Sequence, residues 1–194
     1  FHAYGIPFRI RGGLSLDSNP LIAEMLNLLT LPTNDFTRRN LMDALRSNYF
    51  LWRNLDATAR ADMDRITREA VVVRGRDAFL DAFIKPQTPL AGKDRDRRLV
   101  AELDTETIAA YRTWLEKFFA RITPPQSAKV AEHAAWLEHL LGPDPKTEQF
   151  EHDKHPETFT PETDSLRVIE CVRAGDPETA ARDLAALFTF KRVL

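Results

Sequence analysis

Cysteine is nearly absent from this sequence, with Cys171 as the single thiol among 194 residues. One thiol cannot form a disulfide within the chain, so we expect the fold to be held by non-covalent packing. Disulfides are typical of oxidising compartments, and their exclusion here fits a reducing one, which predicts a cytoplasmic location. Cys171 lies among apolar residues with helical spacing, which favours a small buried hydrophobe over a reactive thiol.

Long apolar runs are absent too. No stretch approaches the roughly 20 apolar residues that a membrane-spanning helix needs, so we expect no membrane partner. The hydrophobic content of 43% and the charged content of 29% are ordinary globular values, and 194 residues can bury a core of their own. We predict one domain over residues 1–194. Because the first residue is Phe1 and apolar residues reach Leu194, we expect this domain to be a segment of a larger protein.

Catalytic motifs are missing as well. The sequence contains no G-x-x-x-x-G-K-[ST] phosphate loop and no carboxylate–lysine nuclease pattern. Ser15, Ser18 and Ser47 lack the histidine and acid that a nucleophile requires. His152 and His155 have the spacing of metal ligands, but they fall in a polar acidic stretch, and a solvated loop is the preferred interpretation. We predict no catalytic residue, no metal site and no cofactor in this segment.

Helical periodicity, by contrast, covers most of the chain. Apolar residues recur every three or four positions between capping residues, glycines and prolines. Thr123-Pro124-Pro125-Gln126 matches a capping box, which predicts a helix start at Pro124. Only residues 5–11 alternate with period two, as a short strand does. We therefore predict an all-α, irregular multi-helix domain with a short extended N-terminal segment, and helices near 20–31, 36–46, 57–70, 76–84, 104–122, 124–141, from 160 or 164 to 174, and 177–194.

Aromatic residues concentrate in one of these helices. Trp114, Phe118 and Phe119 lie on or beside an apolar stripe with steps of three and four. This spacing is typical of a buried core stripe. The alternative, a ladder that stacks nucleic-acid bases, would require exposed rings.

Charge is unevenly distributed along the chain. The net charge is −2, but residues 1–100 hold 16 basic and 12 acidic residues, and the remainder is acidic. Residues 142–164 are proline-containing and mostly acidic, which predicts a polar loop. The alternating charges of residues 93–98 favour a solvated loop over a phosphate contact. If the chain binds nucleic acid, its N-terminal half should do so.

The most distinctive motif lies in residues 4–22. Ile6-Pro7-Phe8-Arg9-Ile10-Arg11-Gly12-Gly13 resembles the segment by which superfamily 1 DNA helicases of the UvrD/Rep kind enter their inserted 2B domain. The G-x-x-L-x-x-x-P-L pattern that follows is closer to AddB-type helicase-nuclease subunits. A second resemblance covers residues 38–50, and shorter ones occur within residues 59–83 and 114–141.

The resemblance implies a 2B-like accessory domain of an ATP-dependent DNA helicase or helicase-nuclease (a hydrolase and exonuclease subunit) that acts in DNA repair and recombination. ATP and Mg would be bound elsewhere in the parent protein. Residues 1–13 would be the stub that leaves the motor domain. The motor domains of the same parent chain and DNA would be the partners, with weak DNA binding by the isolated segment.

The DNA-binding residues are expected near the glycine turn and the second helix. Two adjacent glycines permit positive φ and close approach of a ligand. In the alternative interpretation, the arginines of this DNA-binding set pair with Asp17, Asp35 and Asp43 at the surface or pack against the motor domain. The expected set is Arg9, Arg11, Gly12, Gly13, Arg38, Arg39 and Arg46.

A second function class is a helical-repeat interaction module. Residues 172–181 resemble the turn between two helices of a TPR-type repeat. An array of such repeats would show self-similarity at about 34 residues. No such period is visible in the sequence.

Overall fold

The computed structural model describes residues 15–84, 99–142 and 165–193. Within these ranges the fold is all-α and irregular, with no strand, so the predicted fold class is confirmed. The predicted strand at 5–11 and the stub at 1–13 lie outside the described residues, as does the predicted loop 142–164 except for Gly142. None of the described helices is long and apolar enough to cross a membrane.

Nine α-helices and one 3₁₀ helix form the described parts of the chain. The 3₁₀ helix, Leu16–Ser18, leads directly into the first α-helix. The α-helices are α1 Pro20–Thr30, α2 Arg38–Arg46, α3 Ala57–Glu69, α4 Arg76–Ala82, α5 Leu99–Glu102, α6 Thr105–Ile122, α7 Val130–Leu141, α8 Val168–Arg173 and α9 Pro177–Val193.

Short polar side chains begin several of these helices. Asn19 Oδ1 accepts from the backbone N–H of Leu21 at the start of α1. Asp56 and Asp104 cap α3 and α6 in the same way, each at 2.7 Å. Each cap satisfies a backbone donor that has no partner within its helix.

The predicted start of α7 was wrong. Thr123 ends α6 instead, where its Oγ1 donates to the backbone oxygen of Phe119 at 2.7 Å. The proline at 125 disfavours helical geometry for the residue before it, so a helix cannot readily begin at Pro124. α7 begins at Val130, where the backbone N–H of Lys129 donates to Glu132.

α8 also begins later than predicted, at Val168 rather than at Thr160 or Asp164. The reason is that Leu166 uses its backbone elsewhere. Its N–H donates to Leu140 at the end of α7, and its C=O accepts from Leu51 before α3. The fully buried Leu166 thereby ties the C-terminal helices to two earlier parts of the chain.

The end of α8 and the start of α9 form the turn between two helices that the sequence predicted at residues 172–181. At this turn the Asp176 carboxylate accepts a hydrogen bond from the Thr179 N–H. However, α8 has six residues and α9 has seventeen. A TPR-type repeat needs two helices in a unit that recurs along the chain. The described helices, four to eighteen residues long, do not form such a series.

Aromatic rings fill the centre of the fold. Phe119 is fully buried and contacts Phe36 edge to face at 4.7 Å between centroids. Trp52 packs against Phe118 at 5.4 Å, and Trp114 stacks on the same ring. The interpretation of the α6 stripe as core is confirmed for its buried members, and the buried rings of Phe118 and Phe119 are not available to stack on bases.

A buried carboxylate on α9 joins three segments. Asp183 accepts hydrogen bonds from Asn19 Nδ2 at 2.9 Å, Tyr49 OH at 2.9 Å and Arg182 Nε at 2.8 Å. Burial alone would raise the pKa of Asp183, but these hydrogen bonds outweigh it and lower the pKa. The fold therefore stabilises the ionised carboxylate. That contribution is complete above the ordinary carboxyl pKa of about 4 and is lost as the pH falls below it.

The Tyr49 hydroxyl is the link from this carboxylate to the segment after α2, and its removal should destabilise the fold. We expect Tyr49→Phe to lower the free energy of unfolding by about 1.5–3 kcal/mol, because the hydrogen bond reaches a buried charge. Tyr111→Phe is the matched control, since Tyr111 donates to the half-buried Asp62 at the same 2.9 Å. Urea unfolding measures both variants. An equal or larger loss for Tyr111→Phe would contradict the prediction.

α3 ends in a Schellman motif that has valine at the position where glycine is usual. Val71 has a φ of 54°, and its N–H donates to Arg68 O. The N–H of Val72 donates to Thr67 O, and the Val72 side chain is buried. Left-handed geometry costs an L-residue roughly 1–2 kcal/mol, and β-branching makes it more unusual still.

Replacement of this valine by glycine should therefore stabilise the protein. Val71 is 77% exposed, so its side chain contributes little packing. We expect Val71→Gly to raise the free energy of unfolding by about 0.5–1 kcal/mol, because relief of strain exceeds the added entropy of the unfolded chain. The control is Val73→Gly, an exposed valine without positive φ, which should lower it. Equal losses in both variants would refute the assignment of strain.

Candidate nucleic-acid interface

The segment from Arg38 to Arg76 is the part of the described chain richest in arginine. It contains nine arginines and no lysine, against five acidic residues. α2 and α3, which pack against each other, supply most of these side chains. Arginine forms planar, bidentate hydrogen bonds with phosphate, which lysine does not. This segment is therefore the candidate for binding an anionic ligand.

One acid organises the centre of this segment. Asp64, on α3, has a side chain only 11% exposed, and three guanidinium groups contact its carboxylate. Arg38 pairs with Oδ1, whereas Arg46 and Arg68 donate to Oδ2 at 2.8 Å and 2.7 Å. Two of these arginines belong to α2 and one to α3, so the carboxylate joins the two helices.

Arg38 serves this junction structurally. Its Nη2 also donates to the backbone oxygen of Asp64 at 3.0 Å, and its Nε donates to Thr67 at 3.2 Å. Its side chain is 23% exposed. Most of its donors are therefore used inside the fold, and it offers little to an external ligand.

Arg46 and Arg68 differ from Arg38 in exposure. Their side chains are 55% and 71% exposed, although both touch the nearly buried carboxylate. Each uses Nη2 for Asp64. Within the described residues, their other guanidinium nitrogens have no partner. They therefore combine a fixed position with free donors.

A separate polar groove of about 600 Å³ lies beside the start of α2. Two exposed arginines, Arg39 and Arg74, line it together with Thr33, Asn34 and Asp35. Arg39 has only a long contact, 3.9 Å, with Asp43. Arg74 has no ion-pair partner among the described residues. This groove is a second place at which cations face solvent.

The structure separates the predicted DNA-binding residues into three groups. Arg9, Arg11, Gly12 and Gly13 lie outside the described residues. Arg38 and Arg46 meet at Asp64. Arg39 lies at the groove instead.

The predicted ion-pair alternative named the wrong acid for two arginines. Of the acids proposed as partners, Asp43 contacts Arg39, while Asp64 receives Arg38 and Arg46. Sequence reasoning missed Asp64 and Arg68. Their i,i+4 spacing, at the edge of the buried stripe that contains Met63 and Thr67, was the available signal.

The rest of the described surface adds no catalytic constellation. Within residues 15–84, 99–142 and 165–193, no three histidine, cysteine or acidic side chains are grouped so that they could hold a metal ion. His152 and His155 are not among these residues. No protein-family model, no curated protein and no solved structure matches this chain. The function must therefore be argued from the residues themselves.

Loss of the Asp64 charge should destabilise the fold. Asp64→Asn leaves the poorly exposed Arg38 without its counter-charge, and we expect the free energy of unfolding to fall by about 2–4 kcal/mol. Asp43→Asn is the control, because that acid is half exposed and contacts its arginine at 3.9 Å. It should change stability by less than about 0.5 kcal/mol. Denaturant unfolding that shows similar effects for the two variants would contradict the assigned role.

Proposed function

We propose that this chain is an accessory helical domain of an ATP-dependent DNA helicase or helicase-nuclease, in which it guides DNA and contacts the motor domains of the same parent protein. The resemblance of residues 4–22 and 38–50 to UvrD/Rep-like and AddB-type proteins supports this proposal. It is a proposal about both the parent protein and the role of this segment. ATP, Mg and the hydrolytic chemistry belong to other parts of the parent, and this segment acts in the cytoplasm.

The exposed arginines on α2 and α3 are the observation that supports DNA binding by this domain. A duplex presents regularly spaced phosphates, and contacts with them need exposed cations on a rigid support. Arg39, Arg46 and Arg68 meet this need because each is more than half exposed and lies on a helix. The chain carries a net charge of −2, so it is this local excess of arginine, within the described residues, that favours DNA.

The proposal also sets the expected strength of binding. Few phosphates can be contacted by this surface, and the acidic remainder of the chain repels DNA. The affinity of the isolated chain should lie in or beyond the non-specific range of roughly 10⁻⁴–10⁻⁶ M. In a larger protein, the attached domains would supply the remaining contacts.

Removal of the two arginines at the groove tests the DNA-binding surface without disturbing the fold. We expect Arg39→Gln/Arg74→Gln to weaken binding to a short labelled DNA duplex by several-fold at about 50 mM salt. With fewer phosphate contacts, binding releases fewer counterions from the DNA. The control is Arg173→Gln/Arg192→Gln. It removes the same charge from α8 and α9, at exposed arginines with no partner among the described residues.

Fluorescence anisotropy over a salt series measures both variants and the parent chain. Binding by the parent should fall steeply between about 50 and 200 mM salt. Binding that ignores salt, or no binding at the lowest salt, would overturn DNA as the ligand. Equal weakening in the two variants would show that only net charge matters and would remove the groove from the interface.

A further inference from the structure

The two exposed arginines that share one oxygen of Asp64 form an unusual arrangement. Arg46 Nη2 and Arg68 Nη2 both donate to Oδ2, so the two nitrogen atoms lie within two hydrogen-bond lengths of each other. Like charges at this separation repel each other. The nearly buried carboxylate holds them there from the inner side.

One carboxylate cannot neutralise three guanidinium groups. Arg38, Arg46 and Arg68 carry three positive charges, and Asp64 carries one negative charge. Because Arg38 is turned inward, the excess falls on the two exposed groups. Their Nε and Nη1 donors have no partner within the described part of the chain. The cluster is therefore short of an anion on its outer side.

The chemistry of that missing anion follows from the donors. Paired guanidinium groups present several N–H donors in planar forks, which suit an anion with oxygens in several directions. A phosphodiester has two unesterified oxygens and one charge, so it can accept from both arginines at once. A further carboxylate is less suitable, since Asp64 already occupies the inner side.

We propose that Arg46 and Arg68 form a phosphate clamp that binds one backbone phosphate of DNA. This inference rests on the proposed function and deepens it, because it assigns a specific contact to Arg68 and gives Arg46 a partner. It differs from a diffuse cationic surface in one respect. The two arginines are ordered before the ligand arrives, so binding loses no side-chain entropy in ordering them.

Variants that keep Arg38 paired with Asp64 test the clamp. Arg46→Gln/Arg68→Gln removes both donors to this one phosphate, and we expect DNA affinity at about 50 mM salt to fall roughly tenfold, with a salt slope smaller by about 1. Arg46→Lys/Arg68→Lys keeps the charge but loses the planar forks. Its DNA affinity should lie between that of Arg46→Gln/Arg68→Gln and that of the parent. The charge-matched control, Arg173→Gln/Arg192→Gln, should remain within about threefold of the parent.

A second probe separates the clamp from DNA binding as such. Inorganic tripolyphosphate is titrated into each protein, with the arginine Nε–H signals observed by NMR, and circular dichroism checks that each variant is folded. The Arg46 and Arg68 signals should shift in the parent and in the Arg173→Gln/Arg192→Gln control. Tripolyphosphate should bind more weakly to Arg46→Gln/Arg68→Gln.

The outcomes distinguish the inference from the proposed function. If DNA binds the parent and the clamp variant weakens no more than the control, the clamp is overturned and the proposed function stands. If tripolyphosphate binds through Arg46 and Arg68 but DNA does not bind, DNA is overturned as the ligand and so is the proposed function. If neither ligand binds the parent, both proposals fall. Selective loss of DNA and tripolyphosphate in the clamp variant supports both.

Discussion

Burial of the Asp64 carboxylate constrains the N-terminal half of this fold. A carboxylate taken from water must be paired, since an isolated buried charge costs far more than a domain can supply. Asp64 obtains its partners from two helices, so the same carboxylate links α2 to α3. The same constraint leaves two arginines at the surface in defined positions. Stability of the helix pair and display of cations are thus consequences of one interaction.

Asp183 follows the same physical rule with a different outcome. Its three donors come from the start of α1, the segment after α2 and its own helix, so it closes the fold between the N-terminal and C-terminal helices. A neutral hydroxyl and an amide contribute two of these donors, and a single arginine supplies the charge. The carboxylate is therefore neutralised without an excess of cations. This buried acid stabilises the fold and offers nothing to a ligand.

Much of the fold could be predicted because its signals are local. Helical stripes depend on apolar residues three or four positions apart, and they predicted most of the described helices. The errors arose where local signals compete. Thr123 matches a capping box, but the two prolines after it prevent the helix. Leu166 fits a helical pattern, yet its backbone is bonded to Leu140 and Leu51, which are distant in sequence.

The candidate site was harder to predict for the same reason. Arginine content in residues 38–46 was visible in the sequence, but which arginine points inward depends on Asp64, which lies 26 residues after Arg38. Arg38 and Arg39 are neighbours in the chain, whereas the structure gives one to Asp64 and the other to the groove. Adjacent residues on a helix face different directions, so a run of cations does not define a binding surface until its counter-charges are placed.

The arrangement at Asp64 also limits how strongly any anion can bind. The carboxylate that orders Arg46 and Arg68 also neutralises part of their positive charge. The electrostatic attraction that remains for a phosphate is therefore smaller. What remains is a small gain in charge pairing and the absence of an ordering cost. Such a contact is suited to weak, reversible binding. If the domain is linked to others that hold the same DNA, the link raises its effective concentration, and weak phosphate contacts then suffice to guide a duplex without preventing its movement.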